Sequence, residues 1–411
     1  MVDDETITAP GLFTKRWTPS NATLSALSLS LPGRVVVALD RNLTATTVVA
    51  TSSSRAVLDL VTTSLVVGSD KSASSLDEDL DLTDTSVELV LRLATSDVDA
   101  TGTLLITILL PNPVAEISTL AETILQDGAL PLYDETSTVR ITSHSNDNVW
   151  ILNQDPVTVR SLSLTVGGAG NVYLTSSSAI QVQNNLKLTV FAAGSLGLHA
   201  PRILANTIKS EVSGRGSVVV EAQVDAAHLT SHLLGRGSVN YYPSGSCGDS
   251  QIEILGSGNA YVASVLCSST DVNTLGTGDA VVQTIDLLTR SGFGSGTIAY
   301  YNTTPARLPE DPQGGAPFAI YRQPRVAYTD NNTHEQLFLP PVPSILEGAY
   351  VHVRLSTASI FWPPLYHSSL AARETSPEAL GMFGLVVVVV VASIALVVWK
   401  AKRSRGYQLL K

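Results

Sequence analysis

The stretch that decides the fold is Gly214-Arg215-Gly216-Ser217-Val218-Val219-Val220. It returns as Gly235-Arg236-Gly237-Ser238-Val239-Asn240-Tyr241, Gly256-Ser257-Gly258-Asn259-Ala260-Tyr261-Val262, Gly276-Thr277-Gly278-Asp279-Ala280-Val281-Val282 and Gly294-Ser295-Gly296-Thr297-Ile298-Ala299-Tyr300. The first glycines of these steps are 21, 21, 20 and 18 residues apart. An earlier copy stands at Gly168-Ala169-Gly170-Asn171-Val172-Tyr173-Leu174, and a degenerate one at Gly194-Ser195-Leu196-Gly197.

Each step has a plain physical content. The glycine pair permits φ > 0 at a tight corner. The next residue is Ser217, Ser238, Asn259, Asp279 or Thr297, all able to hydrogen-bond nearby backbone. A period-2 strand follows, with Val218, Val239, Ala260, Ala280 and Ile298 on the same face as Val220, Tyr241, Val262, Val282 and Tyr300. One such strand cannot bury its apolar face, but equivalent strands stacked one per turn share a continuous core. A period near 20 residues holds two or three short strands per turn, whereas a propeller blade needs about 40. The expected fold is therefore all-β, a parallel β-helix or solenoid.

The two cysteines fit that stack. Cys247 lies ten residues after Gly237, and Cys267 nine after Gly258. They take nearly the same place in consecutive turns, where strands about 4.8 Å apart suit a disulfide. A Cys247–Cys267 bond is expected.

At this point the repeat resembles the GIN-type auto-transporter adhesin head family, β-helices marked by Gly-Ser-Gly-Asp-like steps. The resemblance is strong over 165–304 and weaker upstream, where Leu31-Pro32-Gly33-Arg34-Val35-Val36-Val37-Ala38-Leu39 and Ser161-Leu162-Ser163-Leu164-Thr165-Val166-Gly167 look similar to family segments. It implies a surface or envelope protein named by analogy to adhesins, and it brings no catalytic residues.

Composition bounds the alternatives. Of 411 residues, 44% are hydrophobic, 15% charged and 6% aromatic, and Ser and Thr together number 86. That is too apolar for disorder and too poor in Lys and Glu for a helical bundle. A net charge of −11 argues against a nucleic-acid partner.

Residues 380–399 read LGMFGLVVVVVVASIALVVW, twenty residues without a charge. That length spans a bilayer core as one transmembrane α-helix, which alone satisfies its own backbone in lipid. Lys400, Lys402, Arg403, Arg405 and Lys411 follow it, so the tail is expected in the cytoplasm and residues 1 to about 378 outside or in a lumen. Sequons at Asn21, Asn42, Asn302 and Asn331 suit that side as glycosylation sites. The opening MVDDETITAPGLFTKRW has no apolar core of a signal peptide. The expectation is a longer N-terminus, the other arrangement being a tail anchor with cytosolic residues 1–378. In the tail, Tyr407 and Leu410 resemble a Tyr-x-x-hydrophobic sorting signal for an adaptor, although Lys411 still follows.

The expected organisation is a flexible N-terminus (1–11), a β-rich solenoid part or cap (12–160), the Gly-x-Gly repeat (161–304), a Pro-rich stalk or cap (305–379) holding 11 of the 20 prolines, the membrane helix (380–399) and the tail (400–411). The acidic loop 77–84 matches no EF-hand spacing and reads as solvated. Acids around the repeat, such as Glu211, Asp225, Asp249 and Asp271, recur at no fixed position, which disfavours a glycan-cleaving site. His228 and His232 lack a third metal ligand. The reading is thus a non-enzyme without cofactor or metal. It displays a β-helix whose face binds a glycan or protein at a cell surface or endolysosomal membrane. The alternatives are a glycan-active enzyme and a protective luminal glycoprotein.

Overall fold

The computed structural model describes residues 4–9, 11–19, 23–68, 86–94, 98–310 and 323–355. The chain divides into two compact units, Met1–Ser368 and Ser369–Lys411, and every described residue lies in the first. The expected membrane helix (380–399), the tail motif at Tyr407 and Leu410, the Asn21 sequon and the acidic loop 77–84 lie outside the described residues. Among the described residues no helix is long and apolar enough to cross a membrane.

The described chain is a three-faced parallel β-solenoid. In the turn Val218–Gly235, residues 218–221 lie on a first face, 223–226 on a second and 228–234 on a third. The first face stacks Arg34–Leu39, Glu122–Leu125, Val149–Asn153 and Val172–Ser176 in parallel, then each repeat turn, ending at Thr297–Tyr301 and Arg325–Thr329. The third face starts earlier, from Ala26–Ser30 through Glu116–Thr119, Thr138–Ser143 and Ser161–Val166. Solenoid turns therefore begin well upstream of residue 161.

Inward positions follow the alternation. Leu196, Val218, Val239, Ala260, Ala280 and Ile298 form one ladder, all fully buried. Val220, Tyr241, Val262 and Val282 form the next, also buried. Such columns join the turns into one core that no single turn could make.

Close stacking of corners excludes a side chain at both glycines, a Cβ on Gly235, Gly256 or Gly276 lying 2.5, 2.4 or 2.0 Å from the carbonyl oxygen of the first glycine one turn back. At the first, Gly235, Gly256 and Gly276 have φ of 140°, 144° and 150°, which disfavours a side chain. The second is held by the stacking alone. A Cβ on Gly237 would lie 1.9 Å from the Gly216 carbonyl oxygen, so close stacking of corners, not a positive φ, excludes a side chain there. At several corners the polar residue bonds to the next turn, whereas Ser238 donates back to Ser217. Asn171 Oδ1 accepts the Ser195 N–H at 2.8 Å, Ser195 Oγ the Ser217 N–H at 3.1 Å, Asn259 Oδ1 the Asp279 N–H at 3.0 Å and Asp279 Oδ1 the Thr297 N–H at 2.7 Å.

An antiparallel cap closes the N-terminal end. Val98–Leu110 lies parallel to Arg34–Leu39, Thr47–Ser52 antiparallel to Val98–Leu110, and Leu12–Trp17 antiparallel to Thr47–Ser52. Asp4–Ala9, expected as flexible, pairs antiparallel with Leu12–Trp17. The one-turn helix Arg55–Asp59 buries Val57 and Leu58 against this end. A cap of this kind keeps open strand edges from pairing with other chains.

Candidate functional site

The third and second faces carry most of the charged outward side chains, the first face adding Arg34–Glu122 and His199–Glu221. Glu211 accepts from Lys209 Nζ at 2.6 Å and faces Lys187 Nζ at 3.5 Å. Burial works to raise the Glu211 carboxyl, but the Lys209 hydrogen bond and the Lys187 charge outweigh it and hold it below the usual carboxylate range. Arg202 pairs with Asp225 at 2.7 Å, and Ser246 Oγ donates to the same carboxylate at 2.8 Å. His228 Nδ1 lies 2.6 Å from Asp249 Oδ1 one turn on. Thr289 donates to Asp271. A shallow open hollow of about 350 Å³ lies among Asp249, Gln251, Ser269, Asp271, Leu287 and Thr289. Most of these groups pair from turn to turn along the faces, and the hollow brings Asp249 and Asp271 to one place.

His228 and His232 sit on one strand of the third face. Four strand residues span about 13 Å, so the pair cannot share an ion. Among the described residues no group of three or more His, Cys, Asp or Glu side chains could hold a metal. Cys247 and Cys267 are register partners on the second face, joined by a disulfide with Cα atoms 4.4 Å apart. Asn42, Asn302 and Asn331 are exposed at corners and loops, and Asn302 takes a φ of 61°.

The first face is different, and its arrangement was not legible in the repeat. Its outward ladder runs Val36, Ile124, Trp150, Tyr173, Gly197, Val219, Asn240, Tyr261 and Val281. Val36, Ile124, Trp150, Tyr173, Val219 and Val281 are nonetheless buried, with Trp150 and Tyr173 at 6% and 8% exposure. Their cover is the Pro-rich segment assigned by composition to a stalk or cap. After Arg325–Thr329 it runs back along the solenoid as an irregular strap. Asn332 Nδ2 donates to Ser264 Oγ at 3.0 Å, the His334 ring stacks on Tyr242 at 4.1 Å, and the Glu335 N–H donates to Asn240 Oδ1 at 2.8 Å. Leu337 packs on the cluster of Val36, Ile124, Trp150 and Tyr173, so close to Gly197 that a Cβ there would lie 2.5 Å from its Cδ1.

Arg34 clamps the far end of the strap. Its Nη1 donates to the Ser344 and Glu347 carbonyls at 2.9 and 2.8 Å, while Nε pairs with Glu122 at 2.9 Å. Ala349–Leu355 then joins the cap antiparallel to Val98–Leu104. The Trp150 indole N–H is buried in this cluster and has no acceptor among the described residues. Burial also pushes the Tyr173 phenol up. One sequence signal for this face existed. Val35-Val36-Val37, Val149-Trp150-Ile151 and Val172-Tyr173-Leu174 are continuous apolar runs, the pattern of strands covered on both sides.

Residues 119–304 match the family described as "Putative auto-transporter adhesin, head GIN domain", and that span holds the regular turns. A solved "putative adhesin" from Parabacteroides distasonis is similar at 14% identity, with a TM-score of 0.42, over 70% of this chain and 96% of its own. Another from Parabacteroides merdae is similar at 15% identity, with a TM-score of 0.36, over 70% of this chain and 95% of its own. No curated protein matches the chain.

Proposed function

We propose that the protein is a non-catalytic, membrane-anchored display module whose adhesin-like β-helix binds a glycan or protein at a cell surface or endolysosomal membrane. The observation that carries this reading is the pairing of outward charges along flat faces, as in Lys187–Glu211–Lys209 and Arg202–Asp225–Ser246. Hydrolysis of a glycosidic bond needs two carboxyl groups flanking one bond in a site that sets their proton affinities apart. Stacked strands instead offer long surfaces suited to extended partners. The similarity of residues 119–304 to the adhesin-head family points the same way.

The anchor rests on the uncharged run 380–399 and its basic flank, and the glycoprotein reading on Asn21, Asn42, Asn302 and Asn331. The purified chain, screened against glycan and protein arrays, is expected to label a defined ligand class. The same sample incubated with polysaccharides is expected to release no new reducing ends. Release of reducing ends, abolished by substituting Asp249 or Asp271, would overturn the non-catalytic reading. Alkaline extraction of membranes tests the anchor, since an anchored chain stays in the pellet. A surface level unchanged by Tyr407→Ala would remove the adaptor reading of the tail.

A further inference from the structure

The strap holds its face by few bonds. From Asn332 to Glu347 it forms no strand, and its polar ties are those at Ser264, Asn240 and Arg34. Phe338 and Leu346 on it are 77% and 83% exposed, so it fills the face mainly through Leu337 and the His334 ring. Beneath it lie an apolar floor of Val36, Ile124, Trp150 and Tyr173, and a buried indole N–H that the strap leaves without an acceptor. A buried donor left unmade is unfavourable, and an occupant that brings an acceptor to it gains what the strap forgoes.

We propose that the first face is a groove for an extended, leucine-bearing peptide, and that residues 332–347 occupy it as a tethered stand-in. The seated strap gives the shape of the occupant: extended backbone, one apolar side chain over Gly197 and Tyr173, and prolines beyond it at 340, 341 and 343. A free peptide can slide along the groove and bring a main-chain carbonyl to the Trp150 N–H, which a strap fixed at the last turn and at Arg34 does not do. This names a ligand class for the binding reading above and rests on it.

The test uses the full chain and a fluorescent peptide with the sequence of residues 330–347, read by anisotropy. In the wild type the tethered strap competes at an effective concentration on the order of millimolar, so micromolar peptide is excluded. Leu337→Ser in the protein loosens the strap and leaves the groove intact. Its apparent affinity for the peptide is expected to rise at least about tenfold, by as much as the strap's hold falls. A peptide carrying the same substitution is expected to lose that gain. Should Leu337→Ser fail to fold, His334→Ala, which removes one ring stack, decides in its place with a smaller gain. A folded variant, with its disulfide and cooperative urea unfolding retained, that binds no peptide overturns the proposal. The same variant on a glycan array then separates the two failures. Glycan labelling leaves the display reading standing with a sugar as ligand, and no labelling by glycan or protein sinks both.

Discussion

Substituting Gly237 with alanine tests the central claim about the corners, that backbone stacking excludes a side chain at the second glycine. The new methyl would stand 1.9 Å from the Gly216 carbonyl oxygen and 2.6 Å from Val212 Cγ1. Carbon and oxygen approach comfortably at about 3.3 Å, so the corner must open by more than about 1 Å. The bonds holding it are Arg236 N–H to Gly214 O at 3.0 Å, Gly237 N–H to Gly214 O at 3.1 Å and Asn259 N–H to Gly237 O at 3.2 Å. Stretching three bonds past their useful length, at roughly 1 kcal/mol each, costs about 3 kcal/mol. The general cost of overpacking, about 1–3 kcal/mol, agrees.

With an m-value of about 3 kcal/mol per molar urea, the unfolding midpoint falls by about 1 M. Solenoid turns open locally, so amide exchange near residues 212–241 is expected to quicken more than exchange in the cap. Arg236→Ala, at the exposed residue between the same glycines, is the control and moves stability by less than about 0.5 kcal/mol. An unchanged midpoint for Gly237→Ala, with exchange no faster than in the control, would refute the steric account of the repeat.

Three further outcomes follow from the same geometry. Replacing Cys247 and Cys267 by serine opens a link closing 20 residues, and chain-entropy arguments put the loss at about 3 kcal/mol, checked by the urea midpoint of oxidised against substituted protein. Tyr241→Phe removes the hydroxyl 2.8 Å from Ser210 Oγ in the core; leaving that buried serine unpaired costs about 1–2 kcal/mol, read from thermal unfolding. The Glu211 carboxyl has a lowered folded-state pKa, so its contribution is present above the unfolded value and lost as pH falls through the folded one. Glu211→Gln is therefore expected to lower stability by under about 1 kcal/mol for so exposed a cluster at pH 7 to 9, with no change of slope there, and to remove that part of the fall in stability as pH drops through and below the usual carboxylate range.

What could be read from the residues alone depended on whether a neighbour lay along the chain or one turn away. The Gly-x-Gly period and the alternation after it are properties of one turn, and they specify the inward ladders from Leu196 to Ile298. The Cys247–Cys267 pairing is likewise a matter of counting positions between corners. The upstream turns were less legible because their corners are not glycine pairs. Glu116–Thr119 and Thr138–Ser143 stack as well as later strands do, but Thr119 hydrogen-bonds to Thr123 where a glycine corner would stand. Nor does a polar residue after Gly-x-Gly say whether it bonds its own turn or the next; the Asn171–Ser195–Ser217 chain shows it reaches forward. The strap lay beyond reach altogether. Its partners are 68, 95 and 310 residues away along the chain, and prolines read equally well as spacer or cover.

The strap also divides the surface by accessibility. An ordinary solenoid face alternates apolar-in and polar-out, as the third face does at Gln251, Ile252, Glu253 and Ile254. The first face breaks that rule at Trp150, Tyr173, Val219 and Val281, and an apolar outward column is tolerable only when something buries it. Here the covering segment comes from the chain's own C-terminal side and is fastened at the last turn by Arg325–Thr329 and at the cap by Arg34 and Ala349–Leu355. Anything that binds the second or third face meets paired charges and hydroxyls at once, without rearrangement. Anything that binds the first face must first displace Leu337 and the His334 ring. The two modes differ in kinetics. Association on the open faces depends on salt through charges such as Asp249 and Lys187. Association on the first face is limited by strap opening and is insensitive to them.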